Sequence, residues 1–203
     1  MPWSGSRGIL QLVALAASPW LTTPTWAQQP DGPLLLPKND VAVVYRFDRA
    51  GIDDYHKWQM TYADGGKRVR LDYFRWMEAK YPFLTTIYDR QADRFITIRP
   101  ESKTYTERPI GNTDNPGQFL RPGMGMARGG TAVVAFAPCT DWKVQFQDTD
   151  EQDTACVTDD GIVLRIVPSK SNVGSMTATA VHYGPPPDGV FDPPAKFKRT
   201  PAH

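Results

Sequence analysis

The chain has 203 residues, with 23 Lys and Arg against 22 Asp and Glu and a formal net charge of +1. That balance argues against a nucleic-acid binder, which needs a basic surplus to neutralise phosphates, and against a polybasic membrane-surface binder. Hydrophobic residues make up 40% of the chain, so the rest of it is read as one packed domain rather than a disordered one.

Residues 1–27 have the pattern of a cleaved secretory signal peptide. Arg7 is the only charge before an apolar run from Gly8 to Ala17, and the small residues Thr25 and Ala27 precede Gln28. The run is well short of the ~20 residues that span a bilayer, so no transmembrane span is expected after cleavage. Export would place the chain in the periplasm, an oxidising compartment. Residues 28–39 are rich in Gly and Pro and read as a flexible leader, 40–198 as a single β-rich domain, and 199–203 as a tail.

Val41, Val43, Tyr45 and Phe47 alternate with Ala42, Val44, Arg46 and Asp48, the period-2 pattern of a strand. Trp58, Met60 and Tyr62 alternate in the same way, and so do Val69, Leu71 and Tyr73. The Ala63-Asp64-Gly65-Gly66 stretch between them makes the two runs a hairpin. After a connection containing Trp76 and Met77, strands are predicted over 83–88, 95–99 and 104–107. They are separated by turns rich in Asp, Pro and Ser. Turns this short make an antiparallel meander, because parallel strands need longer crossovers.

Residues 109–130, "PIGNTDNPGQFLRPGMGMARGG", are too rich in Gly and Pro for a stable helix. They read as a long loop with a turn of helix near Gln118-Phe119-Leu120, of the kind that serves as a lid, a binding loop or a disordered segment. Strand patterns resume over 131–136, 142–146, 155–158, 162–167 and 176–183. In the Pro-rich end, Val190, Phe191 and Phe197 are placed to pack back on the body.

The two cysteines, Cys139 and Cys156, have neither the Cys-x-x-Cys spacing of a redox pair nor the four close ligands of structural zinc. In an exported chain they read as a structural disulfide, which would stabilise the fold by roughly 3 kcal/mol in the chain-entropy model.

No catalytic residue is predicted. Nucleophilic hydrolysis needs a side chain activated by a base that a third group orients. The serines here lie in turn-like settings without a Gly-x-Ser-x-Gly elbow, and His56 and His182 read as structural or surface residues. "GMGMARGG" opens like a phosphate loop, but the strand-like "TAVVAF" follows it instead of a helix. Met124 and Met126 lack a third soft ligand for copper. "DTDEQD" lacks the glycine of a helix-flanked calcium loop and reads as a solvated turn. No cofactor and no metal are expected.

The strands leave a large apolar surface that must be buried on one face, yet no long helical stretch is present to cover it. Either the sheet curls on itself as a barrel or half-barrel, or loops such as 109–130 cover it. A curled sheet leaves an apolar cavity or closes on a filled core.

The order "VVYRF", "WQMTYADGGKRVRLDYF", "IYDRQADRFITIRPESKTY", "CTDWKV", "CVTDDGIVLRI" and "VHYGPPPDGVFDPPAKFKR" resembles uncharacterised bacterial periplasmic proteins related to the LolA-like, lipoprotein-carrier superfamily. The resemblance covers most of residues 40–198. It implies a mainly β fold: a strongly curved antiparallel half-barrel with few short helices, whose concave face shelters acyl chains in the carriers. On that basis the chain is expected to be a non-enzymatic binding module for a hydrophobic or lipidic ligand, such as a lipid or lipoprotein acyl chain. Trp58, Met60, Leu71, Tyr73 and Ile87 are expected in the wall, with 109–130 as cover. The alternative is an envelope interaction or sensing domain with a packed core and a protein partner.

Overall fold

The computed structural model describes residues 32–48, 56–111, 114, 117–145, 152–170 and 174–202. The signal peptide read over 1–27 lies outside them. Among the described residues twelve strands follow one another: β1 (Val41–Asp48), β2 (Lys57–Ala63), β3 (Arg68–Phe74), β4 (Leu84–Asp89), β5 (Arg94–Arg99) and β6 (Thr104–Arg108), then β7 (Gly125–Val134), β8 (Ala137–Gln145), β9 (Gln152–Val157), β10 (Val163–Val167), β11 (Ser175–Tyr183) and β12 (Lys198–Arg199). They form one open sheet in the order β12-β6-β5-β4-β3-β2-β1-β11-β10-β9-β8-β7. Two antiparallel meanders therefore meet where β1 pairs with β11, from Val41 opposite Tyr183 to Asp48 opposite Ser175. The short β12 is parallel to β6 and caps that edge. No helix occurs among the described residues, and the residues read as a turn of helix, Gln118-Phe119-Leu120, form none.

The alternation read in the sequence divides the sheet into two faces. One face collects Val41, Val43, Tyr45, Met60, Tyr62, Val69, Leu71 and Tyr88 from the first meander with Trp142, Val144, Val157, Leu164 and Met176 from the second, in one continuous core. This face is the concave one. The sheet curls enough that β7 comes near β11, although three strands stand between them in the order. The opposite face carries a smaller cluster of Ala63, Ile87, Ile96, Ile98 and Phe191.

The C-terminal residues strap this second face. Phe191 is buried beneath the Arg68 guanidinium, 4.7 Å from its ring. Arg70 donates to the Val190 carbonyl at 2.8 Å, and the Thr200 N–H donates to the Tyr105 carbonyl at 2.8 Å.

Three segments differ from the sequence reading. Residues 135–136, read as the end of a strand, are the turn between β7 and β8, and β8 begins at Ala137 instead of 142. Residues 125–130, read as loop, form the first part of β7. The β8 backbone supplies a ladder that side-chain pattern does not reveal, and the pairing slips between Arg128 and Thr131 at the two glycines. A side chain at Gly129 would meet the Asp141 carbonyl oxygen at 3.0 Å, which explains a glycine there. The leader is docked over residues 35–39. Leu35 packs on the main core, Pro37 is buried, and the Lys38 N–H donates to the Asp160 carbonyl at 2.8 Å.

Cys139 on β8 and Cys156 on β9 are disulfide-bonded, with Cα atoms 5.5 Å apart. The register sets Asp141 opposite Cys156, so the bridge runs diagonally across neighbouring strands.

Candidate functional site: a covered apolar bowl

Of the five residues expected in a ligand-binding wall, four share the concave face. Met60 and Leu71 are buried in its core, and Trp58 and Tyr73 pack against it half-buried. Ile87 is placed elsewhere. It lies opposite Arg70 on β3 and Ile96 on β5, which turns it to the strapped face beside Phe191. Hydropathy suggests a wall position, but strand parity decides otherwise.

An aromatic row closes one end of the bowl. Phe47 and Trp58 have ring centroids 4.2 Å apart, and Trp58 and Tyr73 5.3 Å apart in an edge arrangement, a geometry that aromatic quadrupoles favour.

The middle of the bowl is filled by the chain itself. Residues 117–120 belong to no strand, yet Leu120 is 2% exposed, and Phe119 meets the Tyr45 ring edge-on at 5.9 Å. Gly117 has φ +77°, and a Cβ there would lie 2.5 Å from Met60 Cε and 2.9 Å from Val69 Cγ1. Only glycine lets this backbone lie so close to the sheet.

Side chains fasten the segment. The Tyr62 hydroxyl donates to the Gly117 carbonyl at 2.8 Å, and Arg90 donates to the Gln118 side-chain oxygen at 3.4 Å. At its start the Ile110 N–H donates to Asp93 at 3.2 Å, and Arg108 pairs with Asp114, whose carboxylate also accepts the Gly111 N–H at 2.6 Å.

The tyrosines at this site stay protonated. Burial, and then the neighbouring Tyr62, push the Tyr45 hydroxyl well above its ordinary range; burial does the same to Tyr62. Both therefore act as donors, Tyr45 to the Val163 carbonyl at 2.8 Å. At the rim, hydrogen bonding from Arg108 holds the Asp114 carboxyl below its ordinary value.

The other residues singled out by chemistry are scattered. His56 precedes β2 and His182 is exposed on β11; neither ring hydrogen-bonds a serine or a carboxylate among the described residues. Met124 and Met126 pack against the main core. Most of the acidic "DTDEQD" run lies outside the described residues, and none of the described residues forms a cluster of three metal-ligating side chains. No described helix is long and apolar enough to cross a membrane.

Elsewhere on the surface, β7 has no partner on its outer edge among the described residues. In the two-residue turn after it, Ala135 and Phe136 both have positive φ, and Phe136 is fully exposed beside the exposed Val133.

Fold and site together define an open, strongly curved antiparallel half-barrel with a self-covered apolar concave face. No family model matches the chain, and no curated protein matches it in sequence. Among solved structures it is similar to an uncharacterised conserved protein from Thermus thermophilus, with a TM-score of 0.56 and 7% identity over 81% of this chain and 91% of that one. It is also similar to MucB, with a TM-score of 0.54 and 14% identity over 80% of this chain and 60% of MucB. A third similar structure is the MucA/MucB complex of Pseudomonas aeruginosa, with a TM-score of 0.51 and 12% identity over 79% of this chain and 58% of that one. At these identities the likeness is one of fold. The chain spans about 60% of the length of MucB.

Proposed function

We propose that this chain is a non-enzymatic periplasmic binding module that takes a hydrophobic or lipidic ligand, such as an acyl chain, into the concave bowl when residues 117–124 swing aside. One observation carries the reading. The material filling the bowl is a strandless segment held by side chains such as Tyr62 and Arg90, so it is removable without breaking a sheet ladder. The apolar wall beneath it is continuous across both meanders, and a concave, mostly apolar surface with few polar groups is the usual form of a small-molecule site.

The test is native mass spectrometry and solvent extraction of protein purified from the periplasm. Co-purifying lipid is the expected result; an empty domain whose melting is insensitive to delipidation would contradict it.

A second reading, an envelope interaction or sensing domain with a protein partner, draws on two observations. The outer edge of β7 has no strand partner among the described residues and lies beside exposed Val133 and Phe136, an arrangement that recruits an added strand. MucB, of similar fold, forms a complex with MucA. In-cell crosslinking should then capture one defined protein, and a Val133→Lys, Phe136→Ser double variant that folds normally should lose it. Capture unaffected by the double variant would rule the edge out.

A further inference from the structure

β7 ends the sheet, and seven of its ten residues are exposed. It contains no proline, so no N–H is missing from its edge. The register with β8 sets out which side chains an added strand would meet. Val133 faces Pro138, Thr131 faces Thr140 and, past the slip at the two glycines, Arg128 faces Trp142. Residues two apart on a strand share a face, so Pro138, Thr140 and Trp142 form one row, and Val133, Thr131 and Arg128 stand beside it. All three of these β7 residues are exposed.

The two ends of the row differ in chemistry. At one end Val133 adjoins the turn that carries the fully exposed Phe136. Ala135 and Phe136 both have positive φ there, a backbone that L-residues adopt at a cost and that functional sites retain. At the other end the Arg128 guanidinium lies 6.0 Å from the centre of the Trp142 ring. It borders a hollow of about 340 Å³ that Leu34, Thr140, Val157 and Asp159 also line. Among the described residues no carboxylate is ion-paired with Arg128. Its fork of donors matches a carboxylate, and the hollow leaves room for one. A second copy of β7 cannot supply it, since the strand has neither Asp nor Glu.

We infer that the β7 edge takes an extended protein segment that sets an apolar side chain against Val133 and Phe136 and, four residues away, an acidic side chain against Arg128. The spacing is that of Pro138 and Trp142 on β8, which meet Val133 and Arg128 from the other side. The inference rests on the second reading above, an interaction domain with a protein partner, and it specifies the chemistry of that partner.

The test is fluorescence polarisation of the intact protein with three fluorescein-labelled decapeptides rich in Ser and Thr. They are alike except that a Phe is followed four residues later by Asp, by Asn or by Lys. Wild type should bind the Asp peptide about fivefold more tightly than the Asn peptide at low salt, the upper range for an exposed ion pair, and salt should screen most of the difference. Arg128→Gln should bind the Asp and Asn peptides alike. Arg128→Glu should prefer the Lys peptide, a gain that an unfolded variant could not show. Equal binding of the three peptides by wild type, or an Asp preference kept in Arg128→Gln, would overturn the acidic match and leave the edge as a docking strand. No binding of any peptide would also overturn the inference, and if in-cell crosslinking captured no protein either, the second reading would fall with it. A dimer in sedimentation that the Val133→Lys, Phe136→Ser variant abolishes would give the edge to a second copy and overturn the inference.

Discussion

The Tyr62 hydroxyl donates to the Gly117 carbonyl at 2.8 Å, so the segment covering the bowl is tied to the second strand by a single buried phenol. Tyr62→Phe keeps the ring and removes the tie. The loss should be about 1 kcal/mol, or roughly a fivefold rise in local opening. Hydrogen exchange over residues 117–120 should speed up by that factor while exchange in β8 and β9 stays the same; equal protection in the variant would mean that the cover is held by something else.

Gly117→Ala asks more of the same contact. Left-handed backbone costs an L-residue roughly 1–2 kcal/mol, and the added methyl would meet Met60 and Val69 well inside van der Waals contact. The variant should melt lower than wild type and bind Nile red more tightly, because the bowl opens more often. Unchanged melting and unchanged dye affinity would show that the segment does not lie on the sheet.

The rim of the cover should respond to acid. Arg108 and the Gly111 N–H hold the Asp114 carboxylate in its charged form, which depresses its pKa. A carboxyl whose folded pKa lies below the unfolded value of about 3.9 contributes stability that is complete above that value and is lost as pH falls through the folded one. Protection of residues 109–111 and 117–120 should therefore fall below about pH 4, and Asp114→Asn should show weaker protection that no longer varies over that window. The same acid dependence in Asp114→Asn would assign it to another group.

Much of this architecture is legible in residue order. The alternation of Trp58, Met60 and Tyr62 with Val69, Leu71 and Tyr73 around Asp64-Gly65-Gly66 predicts the β2–β3 hairpin, and its register pairs these residues as expected. Ile87 shows the limit. Both faces of the sheet carry apolar clusters because Phe191 returns to cover the second one, so hydropathy alone cannot say which way Ile87 points. The strand at 125–130 is hidden for a different reason. Glycines have no side chain to show a period, and the pairing with β8 is a long-range property. The docking of residues 117–120 is also out of reach, since the need for glycine at 117 arises from Met60 and Val69, far away in sequence.

The disulfide is the structural element most directly tied to the sequence reading. Cys139 and Cys156 are buried and close a loop with a sequence separation of 17. Losing that link should cost roughly 3 kcal/mol, a fall of about 6–12 °C in melting temperature for a domain of this size. Calorimetry of a Cys139→Ala, Cys156→Ala double variant against the oxidised protein measures it; an equal melt would show that the bridge does not stabilise the fold.

The central claim is that the concave face takes an apolar ligand, and photo-crosslinking tests it most directly. A diazirine-bearing acyl ester is incubated with the protein, irradiated, and mapped by peptide mass spectrometry. The account predicts labelling on β1, β2 and β3 at Phe47, Trp58 and Tyr73 and on the cover at Phe119 and Leu120, with competition by unlabelled ester. Labelling confined to the strapped face around Ile96 and Phe191, or no labelling that unlabelled ester can compete away, would contradict it.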